Sequence, residues 1–83
     1  MTHVAHDLAE EFPAEIETLR HLRQTDARVA RLADEYSEIN SILHRVDHNL
    51  EPMCDVEALR LRKVRMALKD QIARFIARAA STA

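Results

Sequence analysis

The 83-residue chain contains no glycine and no tryptophan, a single cysteine, two prolines and three aromatic residues, Phe12, Tyr36 and Phe75. Without glycine it lacks the default residue for tight positive-φ turns, P-loops and dinucleotide-binding loops. Phosphate cradles of those kinds are excluded, and a β fold rich in hairpins is disfavoured. Cys54 has no partner within the chain, so no intramolecular disulfide can brace a small core. No apolar run approaches the length of about 18 residues that a membrane span needs. The N-terminal stretch MTHVAHDLAEEF is acidic and has no apolar signal segment. One unpaired cysteine and no secretory signal predict a cytoplasmic protein with no membrane partner.

What is present is the composition of a helical protein with few connections: 47% hydrophobic and 31% charged residues. The formal charge of −2 conceals an asymmetry. Residues 1–20 carry five acids against Arg20, whereas residues 56–83 carry seven bases against two acids. Such a chain can pair its own ends, pair with a second copy, or present its basic end to a partner.

The apolar spacing is the clearest signal. Val29, Leu32, Tyr36, Ile39, Leu43, Val46 and Leu50 recur at alternating intervals of three and four. That is a coiled-coil seam. Thr25 or Asp26 can cap this helix, and Asn49, Glu51 and Pro52 end it. A second stripe, Ala58, Leu61, Arg65, Leu68, Ile72, Phe75 and Ala79, repeats the same intervals. A link of about five residues makes the two helices antiparallel neighbours. The fold class predicted is therefore all-α, an antiparallel two-helix hairpin with a shorter N-terminal helix. The expected division is a helical segment at 1–24, the first long helix at 25–50, the turn at 51–55, the second long helix at 56–79 and a frayed tail at 80–83. In the first segment Leu8, Phe12, Ile16 and Leu19 recur at helical spacing, and Pro13 suits a first helical turn. A break is expected at Gln24 and Thr25. The sequence accommodates either a fold-back of this segment on the hairpin or a continuation of the long helix.

Leu59, Met66 and Ile76 lie beside the second seam without obvious intramolecular cover. Burying such a side chain is worth about 1.5–3 kcal/mol. They are expected to form a flank for self-association, giving a homo-oligomeric bundle, or for docking on a protein partner. Arg65 is the odd seam residue. It lies opposite the Ile39–Leu43 level, where Glu38 or Asn40 can reach it, with Glu38 the expected partner. It is either a device that sets register or an arginine whose stem packs while its head stays wet.

Few residues suit chemistry. His44 and His48 stand four apart on one helical face, near Asp47 and Cys54, yet no H-E-x-x-H or C-x-x-C motif is present. Two exposed histidines near the hairpin tip are expected rather than a metal site; His3 and His6 weigh less. The adjacent acids Glu10–Glu11 and Asp34–Glu35 point about 100° apart on a helix and cannot share a site. Neither a catalytic residue nor a cofactor is expected, and the chain reads as non-enzymatic. The basic residues Arg60, Arg62, Lys63 and Lys69 form the alternative, a phosphate-contacting face for nucleic acid. No aromatic lies near them to stack on a base, which disfavours it.

Four short segments also occur in a characteristic order: HDLAEEFP at 6–13, TDARVARLADEYSEIN at 25–40, EP at 51–52 and RMALKD at 65–70. Together they resemble the YdcH-like family, small uncharacterised bacterial proteins, over residues 6 to 77. The resemblance implies a short N-terminal helix followed by an antiparallel hairpin, and carries no catalytic residue. Cys54 stands where that family tends to have Ser or Thr, which leaves Asp55 as the expected cap of the second long helix.

Overall fold

The computed structural model describes residues 6–81, with His6 and Asp7 described by their backbone alone. His3 and the last two residues of the expected 80–83 tail lie outside the described residues. Among the described residues every regular element is helical. The order is α1 (His6–Glu11), a 3-10 turn (Pro13–Glu15), α2 (Ile16–Thr25), α3 (Ala27–Asp47) and α4 (Asp55–Ser81). The long pair is antiparallel: Asp47 near the end of α3 meets Arg62, and Asn40, two turns earlier, meets Arg65 further along α4. At 27 residues α4 is about 40 Å long, and it sets the 44 Å length of the molecule.

Each break has a local cause. Phe12 leaves helical geometry at φ −128° and ψ 58°, and Pro13 opens the 3-10 turn, where its missing N–H costs nothing. The N-terminal segment is thus two helices rather than one. Its second helix stops at Asp26, not at Gln24 and Thr25, with Asp26 extended at φ −132° and ψ 111°. The Thr25 hydroxyl donates back to the His21 carbonyl at 2.9 Å and so belongs to α2. Asp26 caps α3: its Oδ1 accepts from the Arg28 backbone N–H at 2.9 Å and from Arg28 Nε at 3.1 Å.

The reversal after α3 uses asparagine where the chain has no glycine. Asn49 takes φ 58°, a left-handed conformation that asparagine tolerates better than most residues. Leu50 N–H donates to the Arg45 carbonyl at 2.8 Å and Asn49 N–H to the Val46 carbonyl at 3.1 Å. This is the Schellman pattern of helix termination. It ends α3 at Asp47, short of the expected bound at position 50, and leaves Leu50 73% exposed, outside the seam. At the start of α4 the Cys54 carbonyl accepts from Ala58 N–H at 3.0 Å. Cys54 is therefore at the cap position and Asp55 is in the first turn, where its charge complements the helix dipole. The far end holds helical geometry to Ser81, whose hydroxyl donates to the Ala77 carbonyl at 3.1 Å, so the tail is helical past position 80.

The described part of the N-terminal segment, from position 6 on, folds back on the hairpin. Leu8 and Leu19 are wholly buried in one cluster with Val29, Ala33, Tyr36, Leu68, Ile72 and Ile76. Phe12, Ile16 and Leu22 pack against that cluster from the same segment. Ile76 therefore does not belong to the exposed flank, being 7% exposed. The ten-residue step from Met66 turns it some 80° away from Met66 around the helix, toward the covered side. Leu43, Ala58 and Leu61 are also buried, nearer the turn.

Two outcomes follow from this packing. Leu19→Ala is expected to cost about 2–5 kcal/mol in urea denaturation, and Leu59→Ala, on the open side, under about 1 kcal/mol; equal small losses would contradict the fold-back. The second concerns the cap. The hydrogen bond from the Arg28 side chain, then that from its backbone N–H, holds the Asp26 carboxyl below the usual carboxylate range. A depressed carboxyl pKa stabilises the fold above the unfolded-state value and loses that contribution as pH falls through the folded one. The parent should thus melt above Asp26→Asn at neutral pH, with the gap closing below about pH 4.

Candidate interaction surface

The side of α4 turned away from the other helices is open and partly apolar. Val56 is 80% exposed, Leu59 53% and Met66 66%. These are large apolar side chains on a helix whose opposite face is packed, so their exposure does not come from a frayed element. Leu59 and Met66 were legible in the sequence as a flank. Val56 was not, although it continues their spacing upstream by three residues.

The basic residues beside this flank are mostly engaged within the chain. Arg60 pairs with Glu57 one turn earlier, with Nε 3.0 Å from the carboxylate. The hydrogen bond each makes to the other raises the Arg60 pKa and lowers that of Glu57. Arg62 meets Asp47 at 2.8 Å, tying the first turns of α4 to the end of α3. Lys69 Nζ meets Glu11 at 2.7 Å, and the hydrogen bond to Glu11, then its charge, raises the lysine pKa. That contact joins α4 to α1. Lys63 is exposed, and among the described residues no ion pair involves it. Of the four residues of the expected phosphate-contacting face, three are thus already placed on carboxylates.

Arg65 does lie between the long helices, half-buried, but its partner is not Glu38. Its Nη1 donates to Asn40 Oδ1 at 2.8 Å, and Glu38 is exposed. The two positions differ by two residues on α3, which turns Glu38 some 200° away from Asn40. The contact is therefore a charged donor on a neutral amide rather than an ion pair. With Glu11, Tyr36, Arg62, Met66 and Lys69, Arg65 lines a shallow cleft of about 320 Å³. Three cations converge there, each with an acceptor: Asp47, Asn40 and Glu11.

The histidines stand side by side at the tip. Their ring centroids are 4.1 Å apart and tilted by 35°, and His48 Nδ1 lies 2.9 Å from the His44 carbonyl oxygen. Cys54 is exposed and free. Among the described residues no three of His, Cys, Asp and Glu are grouped so as to hold a metal ion. No helix among them is long and apolar enough to cross a membrane. At the other end of the molecule the Arg28 and Arg78 guanidinium groups sit 4.9 and 5.4 Å from the Phe75 ring centre, an arrangement that no spacing in the sequence signals. Cation–π contacts of this kind shield an aromatic that the core only half covers.

The structure is that of a small helical-hairpin protein braced by two N-terminal helices. A family model described as "protein of unknown function (DUF465)" matches residues 29–76. That stretch is more than half of the chain, and the chain belongs to this family; it takes in most of the hairpin and none of α1 or α2. No curated protein and no solved structure matches significantly.

The Arg65 contact can be tested by urea denaturation. Asn40→Ala is expected to lower stability by about 1 kcal/mol. Glu38→Gln should leave it unchanged, and Arg65→Met should keep or raise it, because the stem is retained and a half-buried charge is removed. A loss on Glu38→Gln with none on Asn40→Ala would reverse the assignment.

Proposed function

We propose that this protein is a non-enzymatic, YdcH-like helical adaptor of the cytoplasm that acts by protein–protein association through the open face of α4. The observation that carries this is the exposure of Leu59 and Met66, 53% and 66%, on a helix otherwise firmly packed. Apolar side chains held in water on a rigid helix lower the free energy of any partner helix that covers them. The non-enzymatic part is supported by the groups whose pKa values are displaced. Asp26, Arg28, Glu57, Arg60 and Lys69 are displaced chiefly by surface hydrogen bonds between oppositely charged side chains, a pattern of structural ion pairs. The YdcH-like part rests on the order of the four sequence segments. A nucleic-acid role has weaker support, since Arg60, Arg62 and Lys69 each have a carboxylate partner.

The test is site-specific photo-cross-linking in the native host, with p-benzoylphenylalanine in place of Met66 or, as a control on the exposed side of α3, in place of Glu35. An adduct of defined mass at position 66 and none at position 35 is expected. No adduct at position 66, or the same adducts at both, counts against association through this face. A steeply salt-dependent RNA or DNA affinity lost in Lys63→Ala would favour the alternative instead.

A further inference from the structure

Beyond this association reading, on which it rests, we infer that the open face of α4 pairs with the same face of a second copy of this chain, antiparallel, about a two-fold axis near the middle of the helix. The inference comes from the order of residues along that face. Starting at Val56, the positions 56, 59, 63, 66, 70, 73, 77 and 80 alternate at intervals of three and four. All are exposed except Ala73, which is half-buried. This is a second heptad stripe over about 36 Å, distinct from the one that packs on α3.

The stripe is graded in size. Its first half holds Val56, Leu59, Lys63 and Met66, and its last three positions are Ala73, Ala77 and Ala80. A parallel pairing sets large side chains on large ones at one end and alanine on alanine at the other, so the helices splay. The antiparallel pairing in which Leu59 faces Ala77 of the partner subunit sets Val56 on Ala80 of the partner subunit and Lys63 on Ala73 of the partner subunit. Large then meets small at every one of those levels, and the helices keep an even separation.

Charge selects the same arrangement. The two ionisable residues of the stripe are Lys63 and Asp70, of opposite sign, and among the described residues neither has an ion pair. A parallel dimer puts lysine against lysine and aspartate against aspartate. The antiparallel dimer brings Lys63 within one helical turn of Asp70 of the partner subunit, twice by symmetry. The neighbouring cations Arg60, Arg62 and Lys69 oppose this little, because Glu57, Asp47 and Glu11 already neutralise them.

The exposed thiol of Cys54 makes the orientation measurable on the natural chain. A nitroxide attached there should give, by pulsed dipolar spectroscopy at tens of micromolar protein, a distance of about 40 Å, which is 28 residues of helix. A parallel pair would hold the two labels side by side, at less than half that distance. In sedimentation, Lys63→Asp and Asp70→Lys should each weaken the dimer about fivefold to tenfold, and the double variant should restore it. Both substitutions are at exposed positions, and an unchanged helical circular dichroism spectrum excludes unfolding as the cause. A dimer with a short label distance, or one indifferent to the charge swap, overturns the antiparallel pairing and leaves association through α4 standing. A strict monomer whose position 66 cross-links to a different protein does the same. A monomer with no cross-link at position 66 removes both.

Discussion

Two antiparallel helices can hide only one stripe of each other, and α4 carries more apolar surface than one stripe. The rest of the fold responds to that constraint. α1 and α2 lie back over the hairpin, and Leu8 and Leu19 complete a core that Val29, Tyr36, Leu68 and Ile72 alone would leave open on one side. The chain can make this return because Phe12 and Asp26 leave helical geometry, giving two short helices that change direction in place of one long rod. Asp26 serves both sides of the second break. Its backbone N–H closes the last turn of α2 on the Leu22 carbonyl at 2.8 Å, and its carboxylate caps α3.

The polar contacts follow the same division of surface. The acidic N-terminal segment and the basic C-terminal helix do meet, through Glu11 and Lys69. Arg23 fastens α2 to α3 by donating to the Ala30 carbonyl at 3.2 Å and to Asp34 at 2.6 Å. Arg62 and Asp47 do the same across the hairpin tip. Contacts of this exposure add little stability each. Their larger effect is to consume charge at the edges of the core, so that the bases beside the open face of α4 are largely spoken for and its apolar residues are not.

The match to the DUF465 family spans residues 29–76 and so falls on the hairpin. The hairpin contains both surfaces of α4, the inner seam and the open stripe. The N-terminal helices cover one remaining side and leave the outer side of α4 open, which assigns α1 and α2 to completing the core.

Much of this was determined by the sequence itself. Two runs at intervals of three and four, separated by Asn49 to Asp55, require two helices and a reversal, because periodicity and turn chemistry act within a few residues of each other. The open positions of Leu59 and Met66 were legible for the same reason: both fall outside the inner seam. The fate of Ile76, the Asn40 contact of Arg65 and the return of residues 6–25 were decided only by the tertiary structure. Each depends on which of several flanking positions another segment happens to cover, and a helix turns 100° per residue, so an assignment wrong by one or two positions moves a side chain to another face. Cys54 at the cap shows the same limit on a smaller scale, since the boundary of α4 is set by the Ala58-to-Cys54 hydrogen bond and not by which residue has the better capping side chain.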